Sequence, residues 1–132
     1  MANFFLLTKL DLVYEQYSRS LLAEDGILMR VTYEPLDKVM ELADYSLLKI
    51  KRGVRVKIEI SFIEKNSVYL QDFLRMCYNA SSGVVIKYSG PIDLGGSEII
   101  FEEFNGEPIN AQVCKIKATG RIKTKYDNIP AV

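Results

Sequence analysis

The sequence predicts an α+β domain: mostly antiparallel β-sheet (sandwich or barrel-like), with one central amphipathic helix and one long strand. Three observations carry this. From Val54 to Phe62 the even positions Val54, Val56, Ile58, Ile60 and Phe62 are apolar, while Arg55, Lys57, Glu59 and Ser61 are polar. That period of two belongs to a strand with one buried and one wet face. Over Ser67–Tyr78 the apolar set Leu70, Phe73, Leu74 and Cys77, widened by Tyr69 and Met76, repeats at helical spacing. Gln71, Asp72, Arg75 and Asn79 form the opposite polar stripe. Turn signals punctuate short β-rich runs elsewhere, with Asn105-Gly106 the strongest.

Taken in order, Phe4–Leu22 fits both periods, and its tyrosine, valine and threonine content favours strand in the first half. Glu24-Asp25-Gly26 is a turn signal, and Ile27–Tyr33 reads as the returning strand of a hairpin, ended by Pro35. Pro35–Ala43 places Leu36, Val39, Met40 and Ala43 at helix-like spacing, so a short helix or a structured loop both fit. Leu48 and Ile50 share the even parity of the following stripe. A hairpin turn at Arg52-Gly53 would set Ile50 opposite Arg55 and break the apolar face. One strand over Leu47–Phe62 with a bulge or sharp twist at Gly53 keeps that face whole. It would span roughly 50 Å at ~3.3 Å per residue, which suits a barrel, a tube wall or an arm reaching a neighbour.

The helix has Asn66 or Ser67 as its cap and Asn79–Gly83 as its stop. Val84–Tyr88 is the next strand, followed by turns at Ser89-Gly90-Pro91 and Asp93–Gly96. Glu98–Phe104 is then closed by Asn105-Gly106, Ile109–Lys117 returns, and Thr119-Gly120 turns into Arg121–Tyr126. This completes a four-strand antiparallel meander.

At 132 residues the chain is expected to be a single domain, residues 1–132, able to bury a real core. Apolar residues make up 48% and charged residues 26%, which excludes a disordered or fibrous class. Lysine plus arginine and aspartate plus glutamate both number 17, so nothing global favours nucleic acid or an acidic membrane as partner. The start, MANFFLLTKLDL, holds only four apolar residues in a row with no charge before them. It reads as neither signal peptide nor membrane span. A chain kept in a cytoplasm is expected, unless it is carried out within a larger particle.

There is no histidine, which removes Ser-His-Asp and Cys-His nucleophilic chemistry and most zinc sites. Cys77 and Cys114 lie outside any CxxC and read as small buried hydrophobes, with a disulfide between them left open. The sequence therefore singles out no catalytic, cofactor-binding or metal-ligating residue, and an enzyme is not expected. A small enzyme using carboxylates ranks third among the readings. Two basic clusters are Lys49, Lys51, Arg52, Arg55 and Lys57, and Lys115, Lys117, Arg121, Lys123 and Lys125. At alternate positions they form a ribbon on one face, read first as a solvated face protecting an edge and second as a contact for phosphate or an acidic partner. No aromatic is interleaved as an RNA-stacking surface requires.

The order LLKIKRGVRVKIEISF, YLQDFLRMCYNA, VVIKY and EIIFEEFNGEP resembles small structural proteins of tailed bacteriophages, over roughly Leu47–Tyr126. The resemblance implies a non-enzymatic tail or connector component, made in the bacterial host cytoplasm and carried in the virion. Sheets of such proteins assemble into rings, with arms bridging subunits. It implies homo-oligomer contacts or other particle subunits as partners, no membrane and no cofactor. A second resemblance, over Arg52–Gly83, is to PilZ domains, which bind cyclic di-GMP. It would make Arg52, Arg55, Asn79 and Ser81 the ligand residues. The two arginines stand one residue closer than in that family's RxxxR, and Val84 replaces the last glycine of its second motif.

Overall fold

In the computed structural model of the chain, residues 2–6, 9–15, 17–22, 26–80, 83–88 and 96–129 are described. Of the expected turns, residues 24–25, 89–91 and 93–95 lie outside them, as does Ser81. The elements are β1 (Ala2–Leu6), β2 (Lys9–Tyr14), β3 (Tyr17–Leu22), β4 (Leu28–Pro35), β5 (Lys38–Glu41), β6 (Leu47–Ile50), β7 (Val54–Glu64), α1 (Ser67–Asn79), β8 (Val84–Tyr88), β9 (Glu98–Pro108) and β10 (Cys114–Ile122). Eight strands form one antiparallel sheet in the order β1-β4-β7-β10-β9-β8-β2-β3, and β5 and β6 form a separate two-stranded hairpin. The α+β class with antiparallel strands and one helix is the observed one, its sheet curled into a half-barrel.

The curl follows from chain length. Five strands lie between β1 and β2 in the sheet, a flat separation of about 29 Å at ~4.8 Å per strand. Yet Leu6 and Lys9 are only three residues apart, about 11 Å of chain at most. The curl turns one face inward, and β7 is its spine. Its residues alternate without exception, with Val54, Val56, Ile58, Ile60 and Phe62 buried and the odd positions half-exposed. Strand β4 flanks it on one side with Met29, Val31 and Tyr33, and β10 on the other with Ile116 and Ala118. Leu10 and Leu12 of β2 and Leu21 of β3 are fully buried from the far side of the curl.

Helix α1 covers this interior. Asn66, the expected cap, accepts from the Val68 N–H at 2.9 Å, and Phe73, Met76 and Cys77 are buried. The Phe73 ring stands edge-on to Phe62, with centroids 5.3 Å apart. Burying each such ring fully stabilises the fold by ~1.5–3 kcal/mol.

The inward series of β7 ends on a charge. Glu64 is buried at 5% exposure, and its Oε2 accepts from the Arg19 guanidinium of β3 at 2.6 Å. Four strands separate β7 from β3 in the sheet order, so this bond spans the mouth of the curl. The other carboxylate oxygen accepts from the Lys65 and Asn66 N–H groups, which fixes the entry to α1. Arg19 also lies over the Tyr69 ring, 4.3 Å from its centroid.

Several expectations are corrected. Leu47–Phe62 is not one strand. It is split into β6 and β7, and β6 pairs with β5, so Pro35–Ala43 contains a strand rather than a helix or loop. The register explains the break, because Pro35 faces Val54 while Lys38 faces Ile50. Two residues on one side thus oppose three on the other, a bulge that contains Gly53 at φ +105°. Leu48 and Ile50 consequently leave the core and are exposed. The strand after Gly26 pairs with β1, not with its sequence neighbour β3, so the expected first hairpin is absent.

Asn105-Gly106 is no turn either. It runs inside β9, paired with Lys117 and Ile116. A Cβ on Gly106 would stand 2.9 Å from the Cys114 Sγ and 3.0 Å from Leu70 Cδ1, so its bare backbone lets α1 cross closely. The reversal comes later, where the Asn110 side chain accepts from the Gln112 and Val113 N–H groups. Thr119-Gly120 also stays in strand, with Glu102 as an extra residue opposite it. A Cβ on Gly120 would lie 2.5 Å from the Ile100 carbonyl oxygen. The expected meander therefore has three strands, with Tyr126 joined to Val54 only by an isolated bridge.

That bridge sets a test at Gly53. A Cβ there would meet the Tyr126 carbonyl oxygen at 2.6 Å, on a backbone at positive φ. Gly53→Val is expected to lower stability by ~1–3 kcal/mol. An unchanged denaturant midpoint would contradict the bulge.

Candidate functional site

The two basic clusters do not make an uncompensated cationic ribbon. Arg121 of β10 donates from Nε to Glu34 at 2.8 Å and from Nη1 to Glu102 at 2.6 Å, a bridge that crosses β7 to reach β4. The Arg121 guanidinium, chiefly through its hydrogen bonds, lowers the Glu34 pKa, and Glu34 and Glu102 in turn raise that of Arg121. Lys117 pairs with Glu59, Lys123 with Glu98 and Lys49 with Asp37, at 3.5–3.8 Å. Arg55 spends its Nη1 on the carbonyls of Ile122 and Lys123. Lys125 donates to the Arg52 carbonyl at 2.6 Å. Exposed pairs of this kind contribute ~0–1 kcal/mol each. Their consequence here is to cancel charge on the outer face.

The residues quoted for the PilZ resemblance lie on different elements. Arg52 is in the bulge, Arg55 at the start of β7 and Asn79 at the end of α1, whose carbonyl accepts from the Tyr14 hydroxyl. No hydrogen bond or ion pair joins Asn79 to either arginine among the described residues. No group of three or more Cys, Asp or Glu side chains that could hold a metal ion occurs among the described residues either. No helix there is long and apolar enough to cross a membrane. Cys77 and Cys114 are both free thiols, the first buried and the second half-buried.

What does stand out is the arm, the β5–β6 hairpin and its tip. Every residue from 38 to 52 is exposed, and β5 and β6 form their ladder with each other alone. Seven of the thirteen exposed large apolar side chains found among the described residues lie on it, with Tyr45 84% and Leu47 72% exposed. Lys38 faces Ile50 and Met40 faces Leu48, while Val39 faces Lys49 and Glu41 faces Leu47. Both faces of the ribbon therefore carry apolar groups. A two-stranded hairpin is marginally stable at best without a covered face.

The base is nonetheless well tied. The Leu36 N–H donates to the Gly53 carbonyl at 2.9 Å. Asp37 accepts from the Arg52 N–H at 2.8 Å and meets Lys49 at 3.5 Å. The tip is set by Asp44, whose carboxylate accepts from the Ser46 N–H and hydroxyl, with Tyr45 at φ +67°. Sequence reasoning missed the β5–β6 hairpin because Leu48 and Ile50 continue the core's alternation. The signal for it in the sequence was Gly53 with Lys51 and Arg52 before it.

No protein-family model matches the chain, and no curated protein does. The described residues form a curled antiparallel domain with an anchored arm that carries exposed apolar groups.

Two measurements check this geometry. The Arg52 N–H, and behind it the Lys49 ammonium, hold the Asp37 carboxyl below the usual carboxylate range. A depressed folded pKa means that the anchoring contribution is complete above the unfolded value and is lost as pH falls through the folded one. In an NMR titration the Asp37 and Arg52 amides should shift with a midpoint below that of a free aspartate, and an unshifted midpoint would argue against the anchor. For the thiols, burial pushes Cys77 up to about 12. A disulfide reagent at pH 8 should modify one thiol, Cys114, in native protein and the second only after denaturation.

Proposed function

We propose that the protein is a non-enzymatic, self-associating structural component of a phage tail or tail-like particle, with its arm as an assembly element. On this reading it is made in the bacterial host cytoplasm and carried in the virion. The observation that carries the proposal is the arm itself. A hairpin with apolar residues on both faces and no cover from the described residues of its own chain gains stability by burying them against something else. The outer face fits the same reading in part, since Lys49, Lys117, Arg121 and Lys123 of the basic clusters already have carboxylate partners. The particle assignment is supported by the order of elements, a basic-flanked hairpin, one amphipathic helix and then antiparallel strands.

Sedimentation over a concentration series tests it. The wild type should associate with increasing concentration. Leu47→Asp combined with Val39→Asp should weaken association at least tenfold, at a cost to monomer stability under about 0.5 kcal/mol. A wild-type protein that remains monomeric throughout, or a variant that associates as well, overturns the proposal.

A further inference from the structure

We infer that the arm of one copy docks into a cleft at the opposite pole of a second copy, between the start of α1 and the β9–β10 connection. This rests on the reading that the protein self-associates through its arm, and adds the surface that receives it. The cleft is a cavity of about 240 Å³ whose lining includes Leu70, Pro108, Val113 and Cys114, with Lys65 at one side. Gly106 contributes no side chain to it, which helps keep the cleft open. Ligand pockets usually measure ~300–1,000 Å³, so this one suits one or two side chains rather than a free small molecule.

Three observations choose the occupant. The first is where exposed apolar groups lie. Besides the seven on the arm, Val68, Tyr69 and Ile109 stand next in sequence to residues lining the cleft. Ten of the thirteen thus lie on the arm or in the segments that frame the cleft, and exposed apolar surfaces bury each other when they meet.

The second is charge. Glu41 on the arm and Lys65 at the cleft are both exposed, and neither makes an ion pair with a described residue. The buried Glu64 beside Lys65 is already matched by Arg19. The arm's other charges without an ion pair, Lys38, Lys51 and Arg52, lie at its base, whereas residues 40–48 carry Glu41 and Asp44 and no cation, so the outer part of the arm is anionic and can meet Lys65. Glu41 and Leu47 are cross-strand partners, so they share one face of the arm with Val39.

The third is placement. The arm leaves the sheet at Val54, where β7 begins, and the cleft opens beside Glu64, where β7 ends. Eleven residues of strand separate the two by about 33 Å, too far for the arm to fold back into its own cleft. Each copy therefore carries one donor and one acceptor facing opposite ways. Such a contact is heterologous and propagates from copy to copy instead of closing as a two-fold dimer.

Cys114 in the cleft supplies the reporter. Leu47→Cys, oxidised mildly with oxidised glutathione in the full-length protein, should give a non-reducing ladder of dimers, trimers and higher species. Adding Cys114→Ser should abolish it. Cross-links that persist in L47C/C114S would mean that arms meet arms, and the docking site would be wrong. Charge exchange gives a second readout that needs no new cysteine. Glu41→Lys and Lys65→Glu should each weaken association several-fold, and the double variant should recover it. If the wild type associates through its arm but L47C gives no ladder and the charge-exchanged double variant no recovery, the cleft is excluded while the assembly reading stands. If the wild type is monomeric at every concentration, both fall.

Discussion

The carboxylate of Glu64 holds together parts of the chain that the sheet order would keep far apart. It ends the inward face of β7, receives Arg19 from β3, and accepts the first two N–H groups on the way into α1. An isolated carboxylate at 5% exposure would be very costly, and the arginine and the two amides offset that cost. A buried pair of this kind is weak evidence for added stability, since apolar residues could fill the same space. Its role is geometric. It fixes how far the sheet curls and where the helix begins, and so where Phe73 meets Phe62. Loss of either partner would strand the other's charge, at a cost of ~3–5 kcal/mol.

The opposite face of the sheet follows a different rule. Strands β4, β7, β10 and β9 place their charged residues side by side, and Arg121 draws carboxylates from both directions. Each contact is screened and individually small. Together they leave an outer surface with no dominant sign, consistent with 17 basic and 17 acidic residues in the whole chain. A surface of that kind has little long-range pull on a polyanion. The exposed apolar side chains among the described residues are concentrated on the arm.

The arm departs from the body through one bulge. The chain over Leu28–Glu64 is a single long hairpin, but three residues oppose two at its waist, and Gly53 at φ +105° absorbs the mismatch. Below the waist both strands have neighbours; above it, among the described residues, they pair only with each other. The anchoring bonds of Asp37, Leu36 and Lys125 all fall at this waist. The arm is thus held firmly where it leaves the sheet and exposed along its length.

The sequence by itself determined part of the local structure. Strand β8 and helix α1 lie where their residues predicted them, and Asn66 caps as expected, because period and capping are decided within a few residues. The inward face of β7 was equally legible from its alternation. What only the tertiary structure decided is which apolar stripes are covered. Leu48 and Ile50 follow the same alternation as Val56 and Ile58, yet the first pair faces solvent and the second is fully buried. Alternation records that a strand has an apolar face, not what lies against it. Likewise Asn105-Gly106 carries a strong turn signal, but the crossing of α1 at Gly106 and the long pairing with β10 keep it extended. Arg19 and Glu64, 45 residues apart, give no sign of each other in the chain, because their pairing exists only once the sheet has curled.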